Sequence, residues 1–420
     1  MSELPVGWNP RRLGDLGTWK SGGTPRTSEP AYWGGEIPWI SSGSLTEFHI
    51  TDSDRRITVH GSENGTTMVG RDAILMVVRG MSLKTEFRMG ITDRVLAFGQ
   101  DCKALEPSDG IDPLFLAYAI KSRTPMILGL VDEAGHGTGR LNTSQLFDVM
   151  ICLPPPSEQI EIAEVLGALD DKIAANRKLA TTADSLAEAV FIKSVNGLSK
   201  AARGGDCEGQ ELTIRELARR GCLTFGDGYR TKRSELDEDG FRIVRVADIS
   251  DGQVSLSGSD FVTYDRRSAI GVKAGQSGDI LLTTKGTVGR LAVFEGASED
   301  VVYSPQVCFF RVHDNDTIDR TYLRRWFASA DFVRQASYRK GNTDMADYIN
   351  LADIGSLTLM LPDIAEQRSI GEVLGPLDRL VSSLRAESRT LAAIRDALLP
   401  QLMSGKLRVR DAERQVEAVL

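Results

Sequence analysis

Cysteine is scarce in this chain, five among 420 residues, and no two form a Cys-x-x-Cys pair. Neither a disulfide framework nor a zinc knuckle is therefore suggested. The four histidines stand far apart and offer no metal site. No apolar run approaches the roughly 20 residues that a membrane helix needs. The start, Met1-Ser2-Glu3-Leu4-Pro5, has neither the basic nor the apolar region of a signal peptide. A reducing cytoplasm is the expected compartment. Excess basic charge is missing too: the net charge is −8. That argues against a surface coated in cations. Nucleic-acid binding stays open, because the local field of a groove matters and not the sum over the chain.

Catalytic signatures are equally lacking. Leu153-Pro154-Pro155-Pro156 has no acidic or Asn residue and no aromatic, as an amino-methyltransferase motif would, and reads as a helix breaker. Gly135-His136-Gly137-Thr138-Gly139-Arg140 lacks the Lys-Ser/Thr ending of a phosphate-cradling loop. Asp279 to Lys285 lacks the second carboxylate of a nuclease centre, and no Ser/His/Asp or Cys/His constellation is readable. No catalytic residue and no metal ligand is assigned.

What is present is a soluble composition, 41% hydrophobic and 26% charged, in a length that fits two to four domains. Above all, the chain repeats. Leu153-Pro154-Pro155-Pro156-Ser157-Glu158-Gln159 returns as Leu361-Pro362-Asp363-Ile364-Ala365-Glu366-Gln367, 208 residues on. The register holds through Glu164 to Asp170 against Glu372 to Asp378, and Leu141-Asn142 matches Ile349-Asn350. Upstream the offset drifts, as small loop insertions would cause. Ile74-Leu75-Met76 matches Ile280-Leu281-Leu282, Ile111-Asp112 matches Ile318-Asp319, and Gln100 and Cys102 match Gln306 and Cys308. The two cysteines read as small buried hydrophobes at equivalent positions. Between these anchors the halves diverge; Leu83 to Met89 bears no likeness to Gly289 to Glu295. A duplication of this length predicts two similar ends about a pseudo-twofold axis, with one binding mode applied to two targets.

Four segments follow: globular units at 1–153 and 206–361, and helical segments at 154–205 and 362–420. Ser157 is the expected cap of the first long helix. Leu166, Ile173, Ala180 and Ala187 fall seven apart, as do Leu169, Asn176, Ala183 and Val190. These are the a and d rows of a coiled coil some 55–60 Å long. The second helix starts near Ala365 and carries Leu374, Val381 and Ser388 on one row. Leu377, Leu384, Leu391 and Leu398 make the other, with a break expected at Pro400. Packing of the two helices on each other, antiparallel, is the economical solution. The alternative is that each packs on its own globular unit. Residues 196 to 209, rich in Gly and small residues, read as a linker. The globular units read as α+β, with short β runs at 73–78, 279–284, 301–303 and 307–310. Helices at 113–122 and 321–330 each follow a capping Asp.

These residues carry a resemblance. Gly22-Gly23-Thr24-Pro25 followed by Tyr32-Trp33-Gly34-Gly35-Glu36-Ile37-Pro38-Trp39-Ile40 resembles the opening of a target recognition domain in type I restriction-modification specificity subunits. The repeated helix starts, and the tail Leu399-Pro400-Gln401-Leu402-Met403-Ser404-Gly405-Lys406-Leu407, resemble that family's spacer regions. In the second unit Phe225-Gly226-Asp227-Gly228-Tyr229 stands where Gly-Gly-Thr-Pro would, a departure from the pattern. The resemblance implies an α+β chain in which two α/β target recognition domains are joined by two long antiparallel coiled-coil helices. Each domain would read half of a bipartite, asymmetric site on double-stranded DNA, the helices setting the gap. It also implies two methyltransferase subunits and restriction-translocation subunits as partners. S-adenosylmethionine, ATP and Mg would sit on those partners, with no cofactor in this chain. A two-headed protein-binding adaptor is the alternative, and a fused methyltransferase or nuclease a third class.

Contacts to DNA are expected from cations in the divergent loops. In the first unit these are Lys20, Arg26, Arg79, Lys84, Arg88 and Arg140. In the second they are Arg230, Lys232, Arg233, Arg245, Lys285, Arg290, Arg339 and Lys340. Arginine reads guanine bidentately and lysine mainly neutralises phosphate; the competing account of each is an ordinary solvated charge. Arg79 and Lys285 stand out because they precede Gly80 and Gly286 at equivalent positions, which suits phosphate positioning. Trp33 and Trp39 are expected to pack the core or a loop.

Overall fold

The two heptad-bearing stretches form the longest helices, Pro156–Ala201 and Ile364–Leu402. They belong to a computed structural model that describes residues 5–134, 138–201, 209–250, 252–296, 300–339, 341–343 and 346–417, without the side chains of 133–134, 196–201, 341–343 and 346–347. The expected linker therefore begins as helix as far as Ala201. Its stretch 202–208, Lys340 and the loop residues 135–137 lie outside the described residues. The chain divides into two compact units, Met1–Ala174 with Arg389–Leu420, and Ala175–Ser388. Each long helix contributes to both.

In the first unit Asn9–Arg12 pairs antiparallel with Met150–Leu153, the strand that feeds the long helix. A five-stranded sheet runs in the order Gly17–Ser21, Cys102–Pro107, Ile74–Val77, Met89–Thr92, His49–Ile50. Ile74–Val77 is buried at all four residues, as an unbroken apolar run on a central strand should be. A four-stranded sheet is built on Trp33–Ile40. The second unit repeats the plan. Gln210–Thr213 pairs with Thr358–Leu361 ahead of the second long helix. Ile280–Thr283 lies between Val307–Val312 and Leu291–Val293.

Register corrects one equivalence. Cys102 pairs with Val77, whereas in the second unit Thr283 pairs with Val307 and Cys308 with Leu282. Since Val77 and Thr283 end matching strands, Cys102 corresponds to Val307. Both cysteines are nonetheless buried, and desolvation pushes both thiols well up. The strand that follows each central run is nonetheless equivalent: Ile74 pairs with Ile91, and Ile280 with Val293. The first unit's hairpin is simply longer, so its loop could not align.

The repeated Gln has a physical reason. Gln159, 2% exposed, accepts a hydrogen bond from Asp112 N (2.9 Å) and donates to Pro154 O (2.9 Å). Gln367 accepts from Asp319 N (2.9 Å) and donates to Thr317 O and Pro362 O. Those two aspartates cap Pro113–Ser122 and Arg320–Phe327, accepting from Phe115 N and Tyr322 N. One amide thus fastens the start of each long helix to a capped helix of its globular unit. Ser157 is not the cap: the first long helix begins at Pro156, where a missing N–H costs nothing. In the second, Asp363 accepts from Glu366 N (2.8 Å). Pro400 does not break that helix, which runs to Leu402 before Gly405 turns the chain at φ 67°. A proline this near the end forfeits one hydrogen bond but leaves the final turn in place.

The heptad rows face inward. Leu166, Leu169, Ile173, Ala180, Ala183 and Ala187 are buried, as are Leu374, Val381, Leu384, Leu391 and Leu398. Within the first unit Leu166, Leu169 and Ile173 share a core with Leu391, Leu398 and Leu402. Within the second, Ala180 and Ala183 meet Val381 and Leu384. The packing is antiparallel in each: Asp170 pairs with Arg395, and Asp184 with Arg385 (3.2 Å). The two packing alternatives are not exclusive, since Ile162, Val165 and Leu166 also pack with Trp8, Leu13 and Phe115 of the globular part. Asn176 is buried with no partner for its Nδ2 among the described residues. An unmet donor of this kind costs about 1–3 kcal/mol. The architecture is α+β: two mixed repeats joined by long helices. No helix among the described residues is long and apolar enough to cross a membrane.

Candidate nucleic-acid interface

Arg79–Gly80 is a short strand leaving the central run Ile74–Val77. It pairs antiparallel with Thr138–Leu141, placing Arg79 directly opposite Arg140 and Gly80 opposite Gly139. Both arginines are exposed. Directly opposed like charges destabilise a strand pair by a few tenths to about 1 kcal/mol. An anion laid across the pair reverses that penalty. In the second unit Lys285 makes the matching antiparallel bridge, with Tyr348 in place of Arg140. The scaffold bonds beside it are identical: Leu141 N donates to Val78 O and Ile349 N to Thr284 O, both at 2.9 Å. One cation is thus held at one register position in each unit, beside a different neighbour.

The other candidates fall into two groups. Some cations are already engaged. Lys20 pairs with Glu106 at 2.8 Å, and Arg88 pairs with Glu86 while donating to Gly43 O. Arg245 donates to Asp260 through Nε (3.0 Å) and Nη2 (2.6 Å). Arg290 Nη1 donates to Ile249 O (3.2 Å), and Arg339 is tied to Ser356 and Gln335. These arginines brace loops. Others stand on exposed loops: Arg26, and Arg230, Lys232 and Arg233 together after the strand Leu223–Asp227. Lys84 is exposed at the end of the turn Ser82–Lys84.

The Gly22 loop is fixed by close backbone approach. A Cβ on Gly22 would lie 2.1 Å from Gly99 O, and one on Gly228 would lie 2.0 Å from Tyr303 O. Gly228 therefore keeps a glycine that geometry demands, although the surrounding sequence has changed. Trp33 and Trp39 pack as expected, in a cluster with Ile57 and Ala97. Their indole N–H groups donate to Arg26 O (3.2 Å) and Gly23 O (3.1 Å), pinning the same loop.

Sequence reasoning missed Arg55. Its guanidinium carbon lies 4.2 Å from the Trp33 ring centroid and 4.7 Å from that of Trp39. The signal was available as a basic residue in a turn-rich stretch beside two tryptophans, but the pairing is made by folding alone. Among the described residues no group of three or more His, Cys, Asp or Glu is arranged to hold a metal ion.

The family profile described as "Type I restriction modification DNA specificity domain" matches residues 5–182 and 225–391. The type I restriction enzyme MjaIX specificity subunit of Methanocaldococcus jannaschii is 26% identical over 440 residues, covering 98% of this chain and 96% of that protein. The EcoR124I/EcoR124II specificity subunit of Escherichia coli is 29% identical over 170 residues, 40% of this chain and 42% of that protein. A crystal structure of a type I restriction-modification system S subunit from M. genitalium shares the fold, with a TM-score of 0.57 at 17% identity. It covers 96% of this chain and 97% of that one.

Proposed function

Because the chain belongs to the type I restriction-modification DNA specificity family, a class that recognises DNA and leaves catalysis to other subunits, we propose that it reads a bipartite, asymmetric site on double-stranded DNA. Residues 1–153 and 206–361 act as its two target recognition domains. Each reads one half-site, and the long helices set the unspecified gap. The observation that carries this reading is the recurrence of Arg79 and Lys285 at one register position, opposite Arg140 in one unit and Tyr348 in the other. A constant cation suits a phosphate, which carries no sequence information, while changed neighbours suit different bases.

Two methyltransferase subunits, and restriction-translocation subunits, are the proposed partners, in the cytoplasm. S-adenosylmethionine, ATP and Mg are assigned to those partners. Apolar residues seven apart on the solvent side of both long helices support protein docking there: Leu179 and Leu186 on one, Val373 and Leu380 on the other, all at least 40% exposed.

Binding of the complex with its methyltransferase subunits to specific and scrambled duplexes, over a range of salt, tests the reading. The specific duplex should bind tighter by orders of magnitude. Lys285→Ala should weaken both equally and reduce the salt slope by about one. Equal affinity of the unmutated complex for both duplexes would leave the two-headed protein adaptor as the better account.

A further inference from the structure

We propose that Arg55 is a base-reading residue of the first unit, directed at the O6 and N7 acceptors of a guanine in its half-site. The proposal rests on the DNA reading above and adds a specific chemical task.

The platform beneath Arg55 is fixed on every side. Trp39 N donates to Arg55 O (2.8 Å), and Arg55 N donates to Ser53 Oγ (3.3 Å). The two indoles meet edge to face, centroids 5.4 Å apart at 81°, and Trp39 is buried. Both indole N–H groups are already used on Arg26 O and Gly23 O. A guanidinium held over two such rings has lost most of the rotamer freedom that an exposed arginine keeps.

Its hydrogen-bonding edge, by contrast, is unused. Arg55 is exposed, and its guanidinium makes no hydrogen bond or ion pair among the described residues. Carboxylates are close in sequence but otherwise engaged. Asp52 pairs with Arg56, and Asp54 accepts from Ser53 Oγ. An arginine fixed in plane and free along its edge matches two acceptors on one base edge, the pattern guanine presents in the major groove. A phosphate contact needs no such fixed plane.

The second unit makes the contrast plain. Its stacked arginines are paired with protein: Arg242, over Phe261, donates to Gly258 O, and Arg267, over Phe241, pairs with Asp300. The stretch leading to Arg55 helps line a recess of about 810 Å³, where Asp52, Ser53 and Asp54 join Ser41, Gly43 and Ser44. Gly43 O is held by Arg88, and Ser42 lies against Gly80 beside Arg79.

Sequencing of methylated sites in cells carrying the full system first gives the two half-sites. Binding and methylation by complexes bearing Arg55→Ala or Arg55→Lys then follow, on duplexes altered at each position. Both variants should lose about tenfold to a hundredfold discrimination at one G·C pair of the first half-site. The second half-site should be read normally, which serves as the folding control. Lysine keeps the charge but not the fork, so Arg55→Lys should retain the salt slope and still lose the guanine. A first half-site without guanine on either strand overturns the proposal. So does unchanged discrimination, or an equal loss on specific and scrambled duplexes with a shallower salt slope, which would make Arg55 a phosphate contact. Absence of any preference in the unmutated complex would instead sink the DNA reading itself.

Discussion

Asp279 anchors one of the buried ionic networks of the second unit. It is fully buried and accepts from Arg311 Nε (2.8 Å) and Nη2 (2.7 Å), and from Tyr303 Oη (2.8 Å). That hydrogen bond sits beside a carboxylate, and burial together with its charge raises the Tyr303 pKa. The first unit has Ala73 before the matching strand, so this carboxylate has no counterpart there. Removing one partner of a buried pair costs more than removing both, because the survivor is left charged and desolvated. Asp279→Ala should therefore lower stability by about 3–5 kcal/mol, and the double change Asp279→Ala with Arg311→Met should recover most of it. Denaturant titration of both proteins checks this; a single change costing under about 1 kcal/mol would mean that Arg311 does not depend on that carboxylate. The residue scale also shows where sequence reasoning stops. Lys20, Arg88, Arg245 and Arg339 look like Arg26 or Arg79 in a sequence. Only the ladders and loops reveal that the first four already have partners and that Arg55 has a platform.

At the scale of elements, the helices were the most legible feature. Seven-residue spacing named the buried rows correctly, with Val190 and Leu377 only half-buried. Helix ends were less legible, because the first long helix starts at Pro156 and not after a Ser157 cap, and Gln159 fastens that end through a backbone group 47 residues away. Such a partner has no local signature. A helix that sets the gap should change it by a whole turn at a time. Four residues inserted near Lys178 add about one turn, roughly 6 Å. The gap should lengthen by one or two base pairs at ~3.4 Å each, with both half-sites intact. Methylome sequencing of the variant system reads this directly; an unchanged gap with altered half-site bases would remove the helices from that role.

At the scale of the whole molecule, a scaffold kept while its loops diverge makes the two units separately exchangeable. Replacing residues 1–153 with the matching unit of another member of the family should change one half-site and preserve the other, as read from the sites methylated in cells. Simultaneous change of both would contradict modular reading. The sequence by itself determined the duplication and the paired long helices, because repeats and heptads are written along the chain at fixed spacing. Tertiary structure decided what spacing does not encode. It shifted Cys308 one position from Cys102, since strand register is set by cross-strand bonds and a one-residue loop change is silent in an alignment of apolar runs. It joined the first and last stretches of the chain into one unit. It also brought Trp33, Trp39 and Arg55 together, because side chains separated by a strand and a turn meet only when the sheet closes.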